Sequence, residues 1–388
     1  MSALPRVSAA AQKILVYFHY PELINLERNG ATLSDGVHLQ RALEWLACAQ
    51  DSSDSGGIPS SFDLLKRSWG PLYRETTGYI IPTFLNYARL YGEKTYRERA
   101  MRMGAWELAE QGEDGSIGEK NRTGRTEPKI FNTSQVMLGF CALFDETSEK
   151  TYLDAAVRGA DWLCANQETS GAWEQYSNDG AKTYDSRVAW ALLEVWKRTE
   201  QNEYREAALR GIGWVTAEQH DNGWFENCSL RDPLRPWTHT IAYTISGLLE
   251  CALCLNDARL MEQAIKPARM MLEYLASHDS SHLPGTFDPE WKSSDRYSCL
   301  TGDAQMAGIW LKIHRATGEG IYRKEAMRIL EGLKRVQLRS RHRELDGAIA
   351  GSYPLRGDYA AYALPNWSTK FFADALLIAQ TSDTPLVS

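Results

Sequence analysis

The sequence predicts an all-α protein with the (α/α)6 toroid fold, a double ring of six inner and six outer helices. One phrase occurs six times: a helix-like stretch ending near a Gln, a turn with Gly and often an aromatic residue, a loop, and a second helix-like stretch. The clearest copies span 156–176 and 208–226, and looser copies start at Gln40, Ala100, Ile265 and Ala326. Six copies at spacings of roughly 50 to 65 residues are typical of a helical repeat protein built from helix pairs.

The first helix of each pair is predicted to lie in the outer ring. It carries small and apolar residues at helical spacing and ends near a Gln such as Gln50, Gln111, Gln167 or Gln219. The turn that follows needs a residue with positive φ. We assign this role to the glycines Gly57, Gly115, Gly171, Gly223 and Gly347.

The second helices are apolar nearly all round, which predicts an inner ring buried on most sides. They cover 80–90, 136–144, 188–196, 241–255, 304–314 and 371–378. A small hydroxyl or acidic residue precedes each one, and we expect these residues to be N-caps: Thr77, Thr133, Ser186, Thr240, Asp303 and Ser368. All inner helices then begin at one rim, where long loops surround a mouth with positive helix-dipole character. Short connections form the opposite face.

The repeat leaves room for a single large domain. We expect an N-terminal extension over 1–38 with one helix near 10–20, the toroid over 39–380, and a C-terminal tail over 381–388. The net charge of -7, from 43 basic and 50 acidic residues, provides no basic stripe for nucleic acid. The N-terminal apolar run is too short for a signal peptide or membrane span. Seven cysteines, most of them in apolar helical stretches, indicate reduced thiols and a cytoplasmic protein.

Polar residues gather where the inner helices begin, although the helix bodies are apolar. Buried polar groups need either hydrogen bonds to one another or a ligand, so they are either structural caps or the lining of a pocket, and we favour the pocket. The candidate catalytic residues are His239, Tyr243, Asp185, Glu75 and Asp303. The candidate substrate-binding residues are Arg74, Tyr79, Gln135, Tyr184, Arg187, Trp237, Tyr297, Gln305, Trp367 and Lys370.

These residue types are compatible with two kinds of acid/base chemistry. His239 and a tyrosine whose pKa a nearby cation lowers are suited to exchanging a proton with a substrate carbon. Two carboxylates facing across a cavity would instead suit glycoside hydrolysis. We expect no metal and no cofactor, because the sequence has no Gly-rich phosphate loop, nucleotide fingerprint or HExxH, and Cys251 and Cys254 lie in an apolar helix without partner ligands.

The Gln…Gly-x-Trp phrases resemble the QW repeats of squalene–hopene cyclases and related terpenoid cyclases, which are also α-toroids. The likeness covers four or five short loops. Those enzymes protonate their substrate with a DxDD motif, which does not occur here; the pair Asp51 and Asp54 has the wrong spacing.

The whole chain is similar to bacterial toroid proteins associated with polysaccharide biosynthesis, through the phrases ETTGYIIPTFL, LTGDAQMAGIWL and NWSTKFFADALL. It also resembles, more distantly, the helical domain of D-glucuronyl C5-epimerases and (α/α)6 polysaccharide lyases. The resemblance implies an oligosaccharide or polysaccharide as the binding partner.

The expected function is therefore a glycan-active enzyme, a uronate epimerase or lyase. In this scheme Arg187 or Lys370 neutralises the substrate carboxylate, while His239 and a tyrosine exchange the C5 proton. The alternatives are a glycoside hydrolase using two of Glu75, Asp185 and Asp303, a terpenoid cyclase-like enzyme, and a non-catalytic glycan-binding protein.

Overall fold

The computed structural model describes residues 9–25, 33–120 and 123–381. The thirteen α-helices of this part are α1 (Ala9–His19), α2 (Asp35–Gln50), α3 (Arg74–Tyr91), α4 (Lys94–Glu110), α5 (Ile130–Thr147), α6 (Lys150–Ala165), α7 (Ser186–Thr199), α8 (Asn202–Ala217), α9 (Thr238–Leu255), α10 (Ala258–Ser277), α11 (Leu300–Thr317), α12 (Gly320–Val336) and α13 (Asn366–Gln380). Two short 3-10 helices cover Pro21–Asn25 and Thr183–Asp185.

Twelve of these helices form two concentric rings, as predicted. The inner helices α3, α5, α7, α9, α11 and α13 pack each against the next, and α13 packs against α3 to close the ring. The outer helices α4, α6, α8, α10 and α12 each pack on the inner helix that precedes them in the chain, and α2 packs on α13. The first outer helix therefore covers the last inner helix. The (α/α)6 toroid is confirmed.

Within the described ranges, the long loops contain seven short strands: β1 (Ser61–Asp63), β2 (Ser68–Trp69), β3 (Gly118–Lys120), β4 (Thr126–Pro128), β5 (Ser298–Cys299), β6 (Ser352–Tyr353) and β7 (Ala363–Pro365). Strand β1 pairs with both β2 and β7, and all pairings are antiparallel. In the β1–β7 register Ser61 lies opposite Pro365. The loop before α3 is therefore joined to the loop before α13, which closes the ring of loops as well as the ring of helices.

The Gln of each phrase joins neighbouring outer helices. Gln167 donates its side-chain amide to the carbonyl of Gly171, 3.0 Å away in its own turn, and to that of Ala207, 2.9 Å away on α8. Gln50 and Gln111 make the same pair of bonds. Gln337 donates to Gly347 and to the His38 carbonyl of α2, and so closes the outer ring. The repeated Gln is therefore a structural residue.

The predicted N-caps of the inner helices are wrong. The observed N-caps lie three or four residues earlier, or one residue earlier for α7, and make no side-chain capping bond: Tyr73, Lys129, Asp185, Trp237, Cys299 and Pro365. Thr77 lies inside α3, donates to the Tyr73 carbonyl and accepts the backbone N–H of Ile58 at 3.0 Å. Thr133 accepts the N–H of Ile117 in the same way, at 2.9 Å. In these two repeats the threonine side chain therefore joins the turn after the outer helix to the inner helix.

The turn glycines are as predicted, with one correction. Gly115, Gly171, Gly223 and Gly347 have positive φ, but in the first repeat Gly56 has it, at 99°, and not Gly57. A Cβ atom on Gly57 would lie 2.8 Å from the Trp106 ring, so the close approach of this ring requires a residue without a side chain at position 57.

The N-terminal segment packs on the long-loop side of the toroid. The Tyr20 ring meets the His342 ring edge-on, 5.3 Å between centroids, and Ser340 donates a hydrogen bond to Glu22. Helix α2 begins at Asp35, inside the segment predicted as an extension. Residues 1–8 and 26–32 of the predicted extension, and 382–388 of the predicted tail, lie outside the described residues. Within the described part, no helix is both long enough and apolar enough to cross a membrane.

Candidate active site

Six side chains, one from each inner helix, form a layer that we call the lumen floor: Tyr79, Gln135, Arg187, Tyr243, Gln305 and Phe371. Helices α3 and α9 stand on opposite sides of the ring, yet the Tyr243 hydroxyl donates to the Tyr79 hydroxyl at 3.3 Å. The Phe371 ring lies 5.7 Å from the Tyr79 ring and 5.8 Å from the Tyr243 ring, between centroids. The floor therefore spans the ring, below the rim at which the inner helices begin.

The floor contains a buried cation held by neutral groups. Arg187 is 3% exposed, and it donates through Nε to the Gln135 Oε1 at 2.8 Å and through Nη1 to the Ser246 hydroxyl at 3.2 Å. Its guanidinium carbon lies 5.0 Å from the centroids of both Trp190 and Tyr243. Among the described residues no carboxylate forms a salt bridge with it. Because a buried charge is stabilised mainly by an opposite charge, this is a favourable position for an anionic ligand.

Glu75, in the first turn of α3, has an acidity suited to proton transfer near neutral pH. Burial raises the pKa of its carboxyl to about 7, and the negative charge of Glu119 acts in the same direction. The Tyr73 hydroxyl, which donates to Oε2 at 2.6 Å, and the charge of Arg187 partly oppose that rise. A carboxyl with a pKa near the working pH exchanges protons readily in both directions.

His239 presents a neutral imidazole. Burial lowers its pKa to about 4, and the positive charge of Arg187 acts in the same direction. Nδ1 lies 2.9 Å from the Gln305 Oε1, and because an amide oxygen only accepts, this contact places the proton on Nδ1. Nε2 is left with its lone pair. The Gln305 Nε2, buried in the same place, has no hydrogen-bond partner among the described residues.

The tyrosines of the site stay protonated and act as hydrogen-bond donors. Burial raises the pKa of Tyr73, Tyr79, Tyr243 and Tyr359, and the charge of Glu75 raises it further at the first three. The prediction that a cation lowers the pKa of a mouth tyrosine is wrong. Arg187 does favour the Tyr243 anion, but desolvation of that hydroxyl outweighs it.

Aromatic side chains line one side of the site. The Trp367 Nε1 donates to the Tyr359 hydroxyl at 2.7 Å, and the Tyr359 ring lies 5.3 Å from the Trp237 ring and 5.5 Å from the His239 ring, between centroids. Tyr73 meets Trp367 edge-on at 6.4 Å. Flat apolar faces beside hydrogen-bonding groups match the C–H faces and hydroxyl edges of a sugar ring.

The structure brings together ten of the predicted site residues, namely Glu75, Tyr79, Gln135, Tyr184, Arg187, Trp237, His239, Tyr243, Gln305 and Trp367. Tyr184 joins the others through the Phe131 ring, 5.3 Å away between centroids, which in turn packs at 5.2 Å on Tyr243.

Two predicted carboxylates lie away from this cluster. The Asp303 carboxylate accepts the Leu283 N–H at 2.8 Å and lies 2.7 Å from the His282 Nδ1, so local partners occupy both oxygens. Asp185 is buried against the backbone N–H of Lys182, and burial raises its pKa to about 8.

Three other predicted residues also point to other partners. Arg74 donates to Glu110 and to the Gly118 carbonyl on its outer side. Lys370 pairs with Asp374 at 2.6 Å, and its Nζ lies 5.0 Å from the Tyr79 ring centroid. Tyr297 lines a separate cavity at the long-loop end of the toroid.

The prediction of site residues missed Tyr73, Glu119, Phe131, Tyr359 and Phe371. For Phe371 the repeat contained the signal, because it follows Gln305 by 66 residues, close to the 65 residues that separate Asp303 from Ser368. Tyr73 immediately precedes α3 and Glu119 lies on β3. Both are in loops, where the helical repeat does not predict which residues face the site. No group of three or more His, Cys, Asp or Glu side chains with metal-binding geometry occurs in the described part of the chain.

Comparison with solved structures shows the same architecture in carbohydrate-active enzymes. The chain is similar to an unsaturated glucuronyl hydrolase specific for heparin (16% identity, TM-score 0.70, covering 87% of this chain and 95% of that one). It is similar to the unsaturated glucuronyl hydrolase of Bacillus sp. GL1 (17% identity, TM-score 0.68, 88% and 97%). It is also similar to the cellobiose 2-epimerase of Bacillus thermoamylovorans B4167 (10% identity, TM-score 0.67, 94% and 99%).

These identities establish the shared toroid and no more, since one fold hosts many activities. No protein-family model and no curated protein sequence matches the chain.

Proposed function

We propose that the protein is a glycan-active enzyme that binds a uronate unit above the lumen floor and transfers the proton at the carbon next to its carboxylate. The observation that carries the proposal is Arg187, a buried guanidinium with no carboxylate partner among the described residues. A substrate carboxylate provides the missing negative charge. Neutralising that carboxylate also acidifies the adjacent C5–H bond, which is the bond to be broken.

The residues around Arg187 are suited to the remaining steps. Glu75, with its pKa of about 7, takes the C5 proton, and the electron pair of the C–H bond delocalises into the substrate carboxylate beside Arg187. Tyr243 is protonated, hydrogen-bonds to Glu75, and has its ring centroid 5.0 Å from the guanidinium carbon; it returns a proton to C5, and return to the face opposite the one that lost its proton gives the epimer. If the C4–O bond breaks instead, Tyr243 protonates the departing C4 oxygen, the C–H electron pair forms the C4–C5 double bond, and the product is an unsaturated uronate. The lone pair on the His239 Nε2 is a second candidate base.

The neighbouring structures are consistent with this substrate class. Two of them contain the ligands dGlcA-Glc-Rha-Glc and dGlcA-GalNAc6S, and another is a sugar epimerase. We therefore assign an acidic oligosaccharide or polysaccharide as the partner. The polar floor, with Arg187, Gln135 and Gln305, makes the apolar cavity of a terpenoid cyclase a weaker alternative. The predicted cytoplasmic location stays a prediction.

Glycoside hydrolysis is the second candidate, and one specific observation favours it. Glu119, on β3, lies close enough to Glu75 for its charge to raise the pKa of that carboxyl. Protonated Glu75 would be the general acid, and Glu119 would provide the second carboxylate. This pair replaces the predicted pairs, because local partners hold Asp185 and Asp303.

The test is incubation with uronate-containing and neutral oligosaccharides in deuterated water, followed by mass spectrometry, ultraviolet absorbance and reducing-end assays. We expect solvent deuterium in the uronate or a new ultraviolet-absorbing product, both lost in Glu75→Gln and Arg187→Gln. New reducing ends without either signal would assign hydrolysis. Binding without turnover would assign a glycan-binding protein.

A further inference from the structure

A cavity lies at the long-loop end of the toroid, between outer helices and away from the lumen floor. It has a volume of about 580 Å³ and lies between α10, the last turn of α12 and the loop that joins α10 to α11. The residues that matter here are Tyr274, His278, His282, Arg296, Tyr297 and Arg335. Its volume is within the range of small-molecule sites, and it shares no residue with the lumen floor. We call it the flank cavity.

Aromatic rings form part of its wall. His278 stacks on Tyr274 with 4.1 Å between ring centroids and 17° between ring planes. The Tyr297 ring lies against Gly285, where a Cβ atom would come within 2.2 Å of it. The Tyr353 ring lies 5.8 Å from the His282 ring, between centroids. These flat faces resemble those of the aromatic side of the candidate active site.

Two guanidinium groups lie at the same cavity without carboxylate partners. Arg296 comes from the loop and Arg335 from α12; both are exposed, and no salt bridge involves either one within the described ranges. Of the two carboxylates that line the cavity, Asp295 is taken up by Arg235 at 3.1 Å and by the Thr286 hydroxyl at 2.7 Å. The other, Asp279, is exposed, as the two arginines are, and forms no salt bridge with either one. The cavity therefore offers two free cations to an anion.

A contact with a buried carboxylate fixes the orientation of one wall residue. The His282 Nδ1 lies 2.7 Å from the carboxylate of Asp303, which is fully buried and also accepts the Leu283 N–H. No hydrogen bond to the His282 Nε2 occurs within the described part. The absence of a side chain at Gly332 lets this loop approach α12 closely, since a Cβ there would lie 2.7 Å from the Ser281 carbonyl.

We propose that the flank cavity is an accessory binding site for one acidic sugar residue of a glycan. The aromatic faces contact the sugar ring, Arg296 and Arg335 bind its carboxylate, and His282 bonds a hydroxyl. The choice of glycan rests on the proposed function of the lumen site, whereas binding at the flank requires no turnover there.

The test is isothermal titration calorimetry of the full chain with three probes: a uronate-containing tetrasaccharide, the same tetrasaccharide with its carboxyls reduced to alcohols, and inorganic sulfate. The Glu75→Gln background prevents turnover. We expect two sites for the acidic tetrasaccharide, and loss of at least about tenfold in affinity at one of them in the Arg296→Ser/Arg335→Ser double variant. Arg323→Ser, an exposed arginine at the other end of α12, is the matched control and should change nothing.

Several outcomes would overturn the proposal. One site unaffected by the double variant would show that the flank does not bind the glycan. Equal affinity for the carboxyl-reduced tetrasaccharide would remove the role of the arginines. Sulfate binding as tight as that of the tetrasaccharide, insensitive to His278→Ala, would identify a simple anion site. If the lumen site proves inactive, the flank result still stands on its own, so the two proposals fail separately.

Discussion

At the scale of single residues, Glu75 determines the pH dependence of the proposed reaction. With a pKa of about 7, it works as a base only when ionised, while the neutral His239, with a pKa of about 4, keeps one form above pH 5. We expect kcat/KM to rise about tenfold per pH unit below pH 7 and to level off above it. Glu75→Gln should lower kcat by about 10² to 10⁴ and remove this limb. A fall in kcat/KM above pH 7 would instead indicate that Glu75 acts as an acid, which favours hydrolysis.

The same carboxyl should also destabilise the folded protein at high pH. Its folded pKa of about 7 lies above the ordinary value of 4.5, so the folded state holds its proton more tightly than the unfolded state does. Stability from this group is complete below pH 4.5 and is lost as the pH rises towards 7. Glu75→Gln should therefore raise the free energy of unfolding by about 1 to 3 kcal/mol at pH 8 and by little at pH 5. Denaturant unfolding at both pH values measures the difference, and an equal change at both would refute it.

At the scale of elements, the turn after each outer helix joins neighbouring repeats. The Gly171 carbonyl accepts a bond from Gln167, and at a φ of 92° a Cβ there would lie 2.3 Å from the Arg210 carbonyl oxygen of α8. Both the backbone conformation and the contact therefore require glycine at this position.

A pair of variants separates these two requirements. Gly180 has a similar φ of 82°, but a Cβ atom added there would have no neighbouring atom within 4 Å. We expect Gly180→Ala to cost about 1 to 2 kcal/mol of stability through backbone strain alone. Gly171→Ala should cost about 2 kcal/mol more, because the helices must also move apart. Chemical denaturation of both variants measures this, and equal losses would mean that the close approach to α8 has no energetic weight.

The sequence predicted elements better than their ends. Periodicity located all six inner helices, since an all-round apolar stretch has few alternatives to burial. It misplaced their starts, because Thr77 and Thr133 resemble caps while bonding backwards to the turn that precedes the helix. Local composition does not reveal whether a side-chain hydroxyl hydrogen-bonds to the first turn of its own helix or to the backbone of a neighbouring loop.

At the scale of the whole molecule, closure of the ring determines which polar residues meet. The repeat predicted that residues such as Tyr79, Gln135 and Arg187 converge where the inner helices begin, and in the structure they lie in one layer below that rim. The repeat did not distinguish these residues from Asp303, whose carboxylate points away from the lumen towards His282. That direction depends on a loop contact between residues 21 positions apart. The partners of Glu75 likewise come from loops, where the repeat fixes no position.

The most direct test of the proposed lumen chemistry is the incorporation of solvent deuterium at C5 of a uronate unit, followed by mass spectrometry of the digested glycan. We predict uptake by the unmodified protein, with no uptake in Glu75→Gln or Arg187→Gln although both remain folded. Cleavage of the glycan with no deuterium at C5 and no unsaturated product would contradict proton transfer at that carbon and assign the lumen to hydrolysis.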